Sequence, residues 1–85
     1  MKFLHFELQS GQHRTVIVTL NKQANVKVMD DFNFESYKSG DGHKFYGGYA
    51  TKSPFKVVLP SPGLWHVVID LGGIPGSVRA SVRLT

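Results

Sequence analysis

The sequence predicts an all-β fold: a single small antiparallel β-sandwich, jelly-roll-like, or a partly open barrel, of about seven strands with one short helical turn near residues 31–39. Two observations support this prediction. Short runs of β-branched and aromatic residues alternate with a period of two along the chain, and Pro/Gly turns separate them. No long stretch has helical periodicity.

Seven runs are predicted as strands, at residues 2–8, 14–20, 25–30, 43–50, 55–59, 64–71 and 77–84. The sixth run has an apolar face, formed by Trp65, Val67, Ile69 and Leu71, and a mixed opposite face. Both faces are therefore partly apolar, which is typical of a central strand. In the second run Ile17 is predicted to point outward.

Length and composition limit the class of protein. Eighty-five residues make one domain, residues 1–85, that buries roughly 60–65% of its unfolded surface. Cysteine is absent, so no disulfide supports the fold, and the N-terminus lacks the continuous apolar run of a signal peptide. We therefore expect a cytoplasmic protein without a membrane span. The net charge is +4, but the lysines are scattered rather than clustered, a pattern typical of surfaces kept soluble by charge.

Residues 30–42 interrupt the alternation and form the longest predicted connection. Asp31 or Asn33 is expected to cap a helical turn that Gly40 ends, with Phe34 and Tyr37 on one face. We expect an exposed, partly ordered loop at one end of the sandwich. Because long loops on rigid β scaffolds often carry binding residues, this segment is the first candidate site. Its candidate binding residues, with two from the sixth strand, are Asp30, Asp31, Asn33, Phe34, Tyr37, Lys38, His66 and Asp70.

His66 and Asp70 suggest a catalytic dyad, but four residues of strand separate them by about 13 Å. They cannot bond directly, so a dyad needs partners from other strands. The structural alternative is that His66 is a half-buried strand residue and that Asp70 accepts from the turn at Gly72 and Gly73. No catalytic residue is assigned.

No metal or cofactor is predicted. Residues 31–42 begin like a calcium loop, but the sixth position is Ser36 and the twelfth is Gly42. The four histidines lack paired zinc spacing. Residues 43–49 alternate basic and aromatic side chains, which suits either a stacking platform for single-stranded nucleic acid or the filling of a core.

The run from Trp65 to Gly73, together with Gln23–Val26, Tyr46-Gly47-Gly48 and Val78–Val82, resembles a small bacterial family known only as a domain of unknown function. The resemblance spans nearly the whole chain and brings no established activity. Some relatives sit beside Toll/interleukin-receptor-type domains, which implies a recognition or signalling accessory. The strand layout is also similar to the jelly-roll accessory domains of secreted proteases.

Three function classes follow. The first is a non-catalytic interaction module that recognises a protein or a small molecule through residues 30–42 and the nearby sheet face. The second is a domain that binds nucleic acid or another polyanion through Arg79, Arg83 and the lysines. The third is a small enzyme around His66, Asp70 and Asp30. A homo-oligomer through the first strand and Phe3 is also expected, because edge strands are templates for pairing.

Overall fold

The computed structural model describes residues 3–73 and 75–85 and confirms the all-β class. The elements are β1 (Leu4–Ser10), β2 (Thr15–Leu20), β3 (Ala24–Asp30), α1 (Asp31–Lys38), β4 (Tyr46–Ala50), β5 (Phe55–Val58), β6 (Gly63–Asp70) and β7 (Ala80–Leu84). Strands β1-β6-β3-β4 form sheet A and strands β5-β2-β7 form sheet B, in those orders. All described strand pairs are antiparallel and lie within one sheet or the other, so the architecture is a sandwich.

Two strands begin three residues later than the sequence predicts, and both differences have a local cause. Before β4, the backbone N–H of Lys44 donates to Asn33 Oδ1 at 2.8 Å. Before β7, the backbone N–H of Arg79 donates to Asn21 Oδ1 at 2.8 Å. In each case an asparagine side chain accepts a backbone N–H that the sequence pattern assigns to a strand. The first strand also begins later, at Leu4, and residue 2 lies outside the described residues.

The core lies between the inner faces of the two sheets, as the alternation predicts. Its buried members include Val16, Val18, Val26, Val28, Trp65, Val67 and Ile69. Ile17 is an exception, because it is on the outer face of sheet B yet only 7% exposed. Its cross-strand neighbours are Lys56 and Arg83. Long basic side chains beside an apolar residue cover it with their aliphatic stems while their charged ends reach solvent.

Helix α1 covers the outer face of sheet A. The helical turn predicted near residues 31–39 is confirmed as α1. The expectation of a partly ordered loop is wrong for residues 31–38, because two signals combine there. Asp30, rather than Asp31 or Asn33, is the N-cap, and Phe34 is an apolar anchor that is 5% exposed. Gly40, at a φ of 79°, follows the last turn as predicted.

The helix packs on Met29 of β3 and Val68 of β6. The centre of β6 is thereby buried on both faces. Within the described residues, no helix has the length and apolar character that a membrane span requires.

Candidate functional site

A buried histidine on β6 joins three elements of sheet A. His66 is 3% exposed, and both nitrogens of its ring have partners. Its Nε2 lies 2.9 Å from Asp31 Oδ1 at the start of α1, and its Nδ1 lies 2.8 Å from His5 Nε2 on β1. The side chains therefore form a continuous chain, Asp31–His66–His5, from α1 across β6 to the edge of the sheet.

The order of these three hydrogen-bonded side chains assigns the ring protons of the two neutral histidines. A carboxylate accepts only, so Nε2–H of His66 donates to Asp31. In neutral His66 the Nδ1 atom is then the acceptor, and Nε2–H of His5 donates to it. Neutral His5 is left with its Nδ1 as an unprotonated acceptor. Burial lowers the pKa of His5 below the ordinary histidine value, and the neighbouring His66 lowers it further.

The ring of Phe34 covers both imidazoles. Its centroid is 4.2 Å from the centroid of His5 and 4.2 Å from that of His66, with interplanar angles of 18° and 11°. The Nζ of Lys38 lies 4.9 Å from the centroid of the same ring. This stacking explains why a phenylalanine of α1 is buried on a polar part of the sheet.

A second polar cluster ties α1 to the far end of β6. Asp70 is 4% exposed, and its Oδ1 accepts from Asn25 Nδ2 at 3.0 Å and from the backbone N–H of Gly72 at 2.8 Å. The second bond is the turn contact that the sequence suggests. Tyr37 donates its hydroxyl to Asp70 Oδ2 at 3.4 Å. Burial raises the pKa of Tyr37, and the Asp70 carboxylate raises it further.

The remaining predicted site residues serve the ends of the helix. Asp30 Oδ1 accepts from the backbone N–H of Asn33 at 2.9 Å and from its side-chain amide at 2.8 Å. Lys38 pairs with Glu35 at 3.2 Å, and both side chains are largely exposed. The structure thus brings Asp31, Phe34 and His66 together, whereas Asp30 and Asp70 lie in separate clusters.

The geometry does not place a concave substrate site beside the Asp31–His66–His5 chain. Two cavities among the described residues, of about 710 and 650 Å³, are not lined by His5, His66 or Asp31; Asp30 and Asn33 line the first, and Asp70 lines the second. Among residues 3–73 and 75–85, no three His, Asp or Glu side chains lie close enough together to hold a metal ion. The contact between His66 and Asp31 holds the start of α1 on the sheet.

His5 is the member of the network that sequence reasoning missed. It lies 61 positions from His66 in the chain and reaches it only because β1 pairs with β6. No local motif joins the two. The available signal was that His5 and His66 occur on mixed faces of two predicted strands, which is informative only once the strand order is known.

A different surface becomes visible on sheet B. All six acidic residues of the chain lie on β1, β3, α1, β6 or the segment that follows α1, at positions 7, 30, 31, 35, 41 and 70. The outer face of sheet B carries Lys56 and Arg83, and Arg14 and Arg79 directly precede two of its strands. No described residue covers this face with a helix. We call it the basic face.

Comparison with known proteins gives a family. A family model described as "Domain of unknown function (DUF1883)" matches residues 1–85. No curated protein and no solved structure matches the chain.

Proposed function

The chain belongs to DUF1883, a family of domains of unknown function, and we propose that it is a non-catalytic interaction module that binds the phosphodiester backbone of nucleic acid through the basic face. The observation that carries this proposal is the charge segregation. Every acidic residue is on sheet A, on its helix or, for Asp41, on the segment after the helix, whereas the strands of sheet B carry cations and no acid. A surface that needed charge only for solubility would carry both signs.

The central row of the basic face is arranged for contact with anions. Lys56 and Arg83 lie on opposite sides of Ile17 in the strand register. Two strand spacings of about 4.8 Å separate their backbones. Ile17 lies between the two stems and is itself buried, so the charged ends are held on ordered strands and not on loops.

Hydroxyl groups surround the charged row. Thr15, Thr19 and Ser81 are on the same face by the alternation of β2 and β7. Hydroxyl, guanidinium and ammonium groups are the side-chain donors that contact phosphate oxygens in nucleic-acid complexes. No aromatic residue lies on these outer positions, so the face has no platform on which bases can stack. The expected binding is therefore independent of base sequence.

The same composition favours nucleic acid over a lipid surface. Binding at a membrane interface relies on apolar side chains that enter the acyl boundary. On the basic face Val58 is the only large apolar residue that the structure shows exposed, at 69%, and Ile17 is covered. Exposed aromatic residues are instead on sheet A and the segments beside it.

Fluorescence anisotropy with a labelled oligothymidine tests the proposal. Lys56, Arg79 and Arg83, each neutralising one phosphate of a single strand, give a slope of log K against log salt of about −2. The affinity should therefore fall roughly 20-fold between about 50 and 200 mM salt. The same protein with anionic phospholipid vesicles tests the lipid alternative, and tighter binding to vesicles would overturn the assignment to nucleic acid.

Charge-neutral variants locate the surface. Lys56→Gln with Arg83→Gln keeps much of both aliphatic stems and should reduce the salt slope to about a third. Lys38→Gln with Lys44→Gln removes the same charge from the α1 side and should leave the slope unchanged. Equal losses from the two pairs would show that net charge, and not the basic face, determines the binding.

A recognition site on α1 is the second candidate, favoured by Phe32, whose side chain is 78% exposed on the helix. Its polar determinants would be Asp31, Asn33 and Lys38. Amide chemical-shift changes in the oligothymidine titration separate the two candidates. Changes on α1 with sheet B unaffected would favour the helix as the binding surface.

A further inference from the structure

Strand β1 is an edge strand of sheet A and lacks most of the features that keep edge strands from pairing with another chain. Edge strands of stable monomers are usually short or carry Lys, Pro or a distorted backbone. Strand β1 has seven residues, contains no Lys, Arg, Pro or Gly, and carries Glu7 as its one acidic side chain. The other three edges differ. In β4, Gly47 and Gly48 have φ of 115° and 155°, β5 has four residues, and β7 carries Arg83.

The core is also open along β1. The inward residues Leu4, Phe6 and Leu8 pack on the core but stay half-buried. Across the gap, Val82 and Leu84 of β7 are half-buried too. On the opposite side of the sandwich, Ala50 of β4 and Val57 of β5 are buried and Phe55 of β5 is half-buried. Among the described residues, a strip of partly exposed apolar surface therefore follows the β1 edge.

The side-chain pattern of β1 selects a partner and a register. In a two-fold antiparallel pair centred on Glu7, two carboxylates face each other, which is unfavourable. In a pair centred on Phe6, His5 faces Glu7 twice and Leu4 faces Leu8 twice. An imidazole then faces a carboxylate on the outer face, and apolar residues meet on the inner face. The Phe6-centred register is therefore self-complementary, whereas the Glu7-centred register is not.

We infer that a second copy of this chain pairs with β1 in antiparallel orientation, with the two-fold axis at Phe6. The two copies of sheet A then form one continuous sheet of eight strands, twice the four in each copy. The apolar strips of the two copies face each other and lose their contact with water. This dimer does not depend on the binding assigned to the basic face.

The contact between His5 and Glu7 makes the dimer sensitive to pH. The groups that face His5 are His66 on β6, Lys38 on α1 and Glu7 of its own strand. Neutral His5 presents an unprotonated Nδ1, so it donates to the carboxylate of the second copy only after it binds a proton there. The dimer therefore binds more protons than two monomers, and its dissociation constant falls as the pH is lowered.

Sedimentation equilibrium tests the association. The wild-type chain should dimerise with a dissociation constant that is lower near pH 6 than near pH 8. Glu7→Lys places one lysine opposite each His5 of the dimer and should raise the dissociation constant about tenfold. Glu35→Lys makes the same charge change on α1 and should leave the dimer intact. A monomer at all concentrations, or equal effects of the two substitutions, would overturn the inference.

Cysteine cross-linking tests the register, since the natural chain contains no cysteine. In the Phe6-centred pair, residue 3 of one copy faces residue 9 of the other. A mixture of Phe3→Cys and Gln9→Cys chains should form a mixed disulfide, because opposite Cα atoms lie within the required distance. Either variant alone should not, because like residues are then about 20 Å apart. Cross-linking of Phe3→Cys with itself would rule out this register.

Discussion

Replacing Phe34 with alanine tests whether α1 is an integral part of the fold. The ring is 5% exposed, and it stacks at 4.2 Å on two imidazoles. Removing a buried aromatic side chain costs about 3–5 kcal/mol. A domain of this size is stable by roughly 4–13 kcal/mol, from about 0.05–0.15 kcal/mol per residue. The substitution therefore removes a large fraction of the total stability.

Phe32→Ala is a matched control on the same helix. The side chain of Phe32 is 78% exposed, so its truncation should change the free energy of unfolding by at most about 0.5 kcal/mol. Thermal unfolding followed by circular dichroism compares the two variants. Each kcal/mol shifts the Tm of a domain this small by roughly 4–8 °C. The Tm of Phe34→Ala should therefore lie at least about 12 °C below that of Phe32→Ala.

Two results distinguish a loosened helix from a weakened domain. If α1 and the sheets unfold together, amide exchange in β6 accelerates with that in α1 when Phe34 is truncated. If α1 alone detaches, amides of α1 exchange rapidly while the central strand stays protected. Equal Tm values for Phe34→Ala and Phe32→Ala would refute the conclusion that the stacked ring anchors the helix.

Three further outcomes follow from the structure. Trp65→Ala should cost about 3–5 kcal/mol in urea unfolding, because the indole is 5% exposed in the core; an unchanged midpoint would show that the inner face is misassigned. Asp31→Ala leaves a buried N–H of His66 without its acceptor and should cost about 1–3 kcal/mol, measured the same way. The folded state lowers the pKa of His5, so the unfolded state binds more protons. The stability of the dilute monomer should therefore fall as the pH drops from about 7.5 through the ordinary histidine value of about 6.5. His5→Gln should flatten this part of the pH profile of stability.

The fold was predictable because its signals are local. Alternation places Val16, Val18 and Trp65 inward whatever the strand order, and the Pro/Gly turns mark where each run ends. Capping was harder to predict. Asp30, Asp31 and Asn33 are all suitable N-caps, and only the end of β3 decides that Asp30 has that position.

The site was less predictable because its contacts cross the chain. The residues of the Asp31–His66–His5 chain meet through the β1–β6 and β3–β6 pairings, which no motif encodes. The basic face was hidden for the same reason. Lys56 and Arg83 are far apart in sequence, and they become neighbours of Ile17 only because β2 is the central strand of sheet B. Scattered lysines in a sequence do not exclude a basic face in the structure.

The distribution of acids over sheet A has a structural explanation, whereas the lack of acids on sheet B does not. Asp30 caps α1, Asp31 binds His66, and Asp70 accepts from two neighbouring segments, so folding itself requires these carboxylates where they are. No comparable contact holds Lys56 or Arg83, which have no acidic partner among the described residues. Folding would tolerate a mixture of charges there. Because β5 and β7 are edge strands, their cations also protect these edges from pairing with other chains. The paired glutamine variants test whether this face in addition binds an anionic partner, without disturbing the acids that support α1.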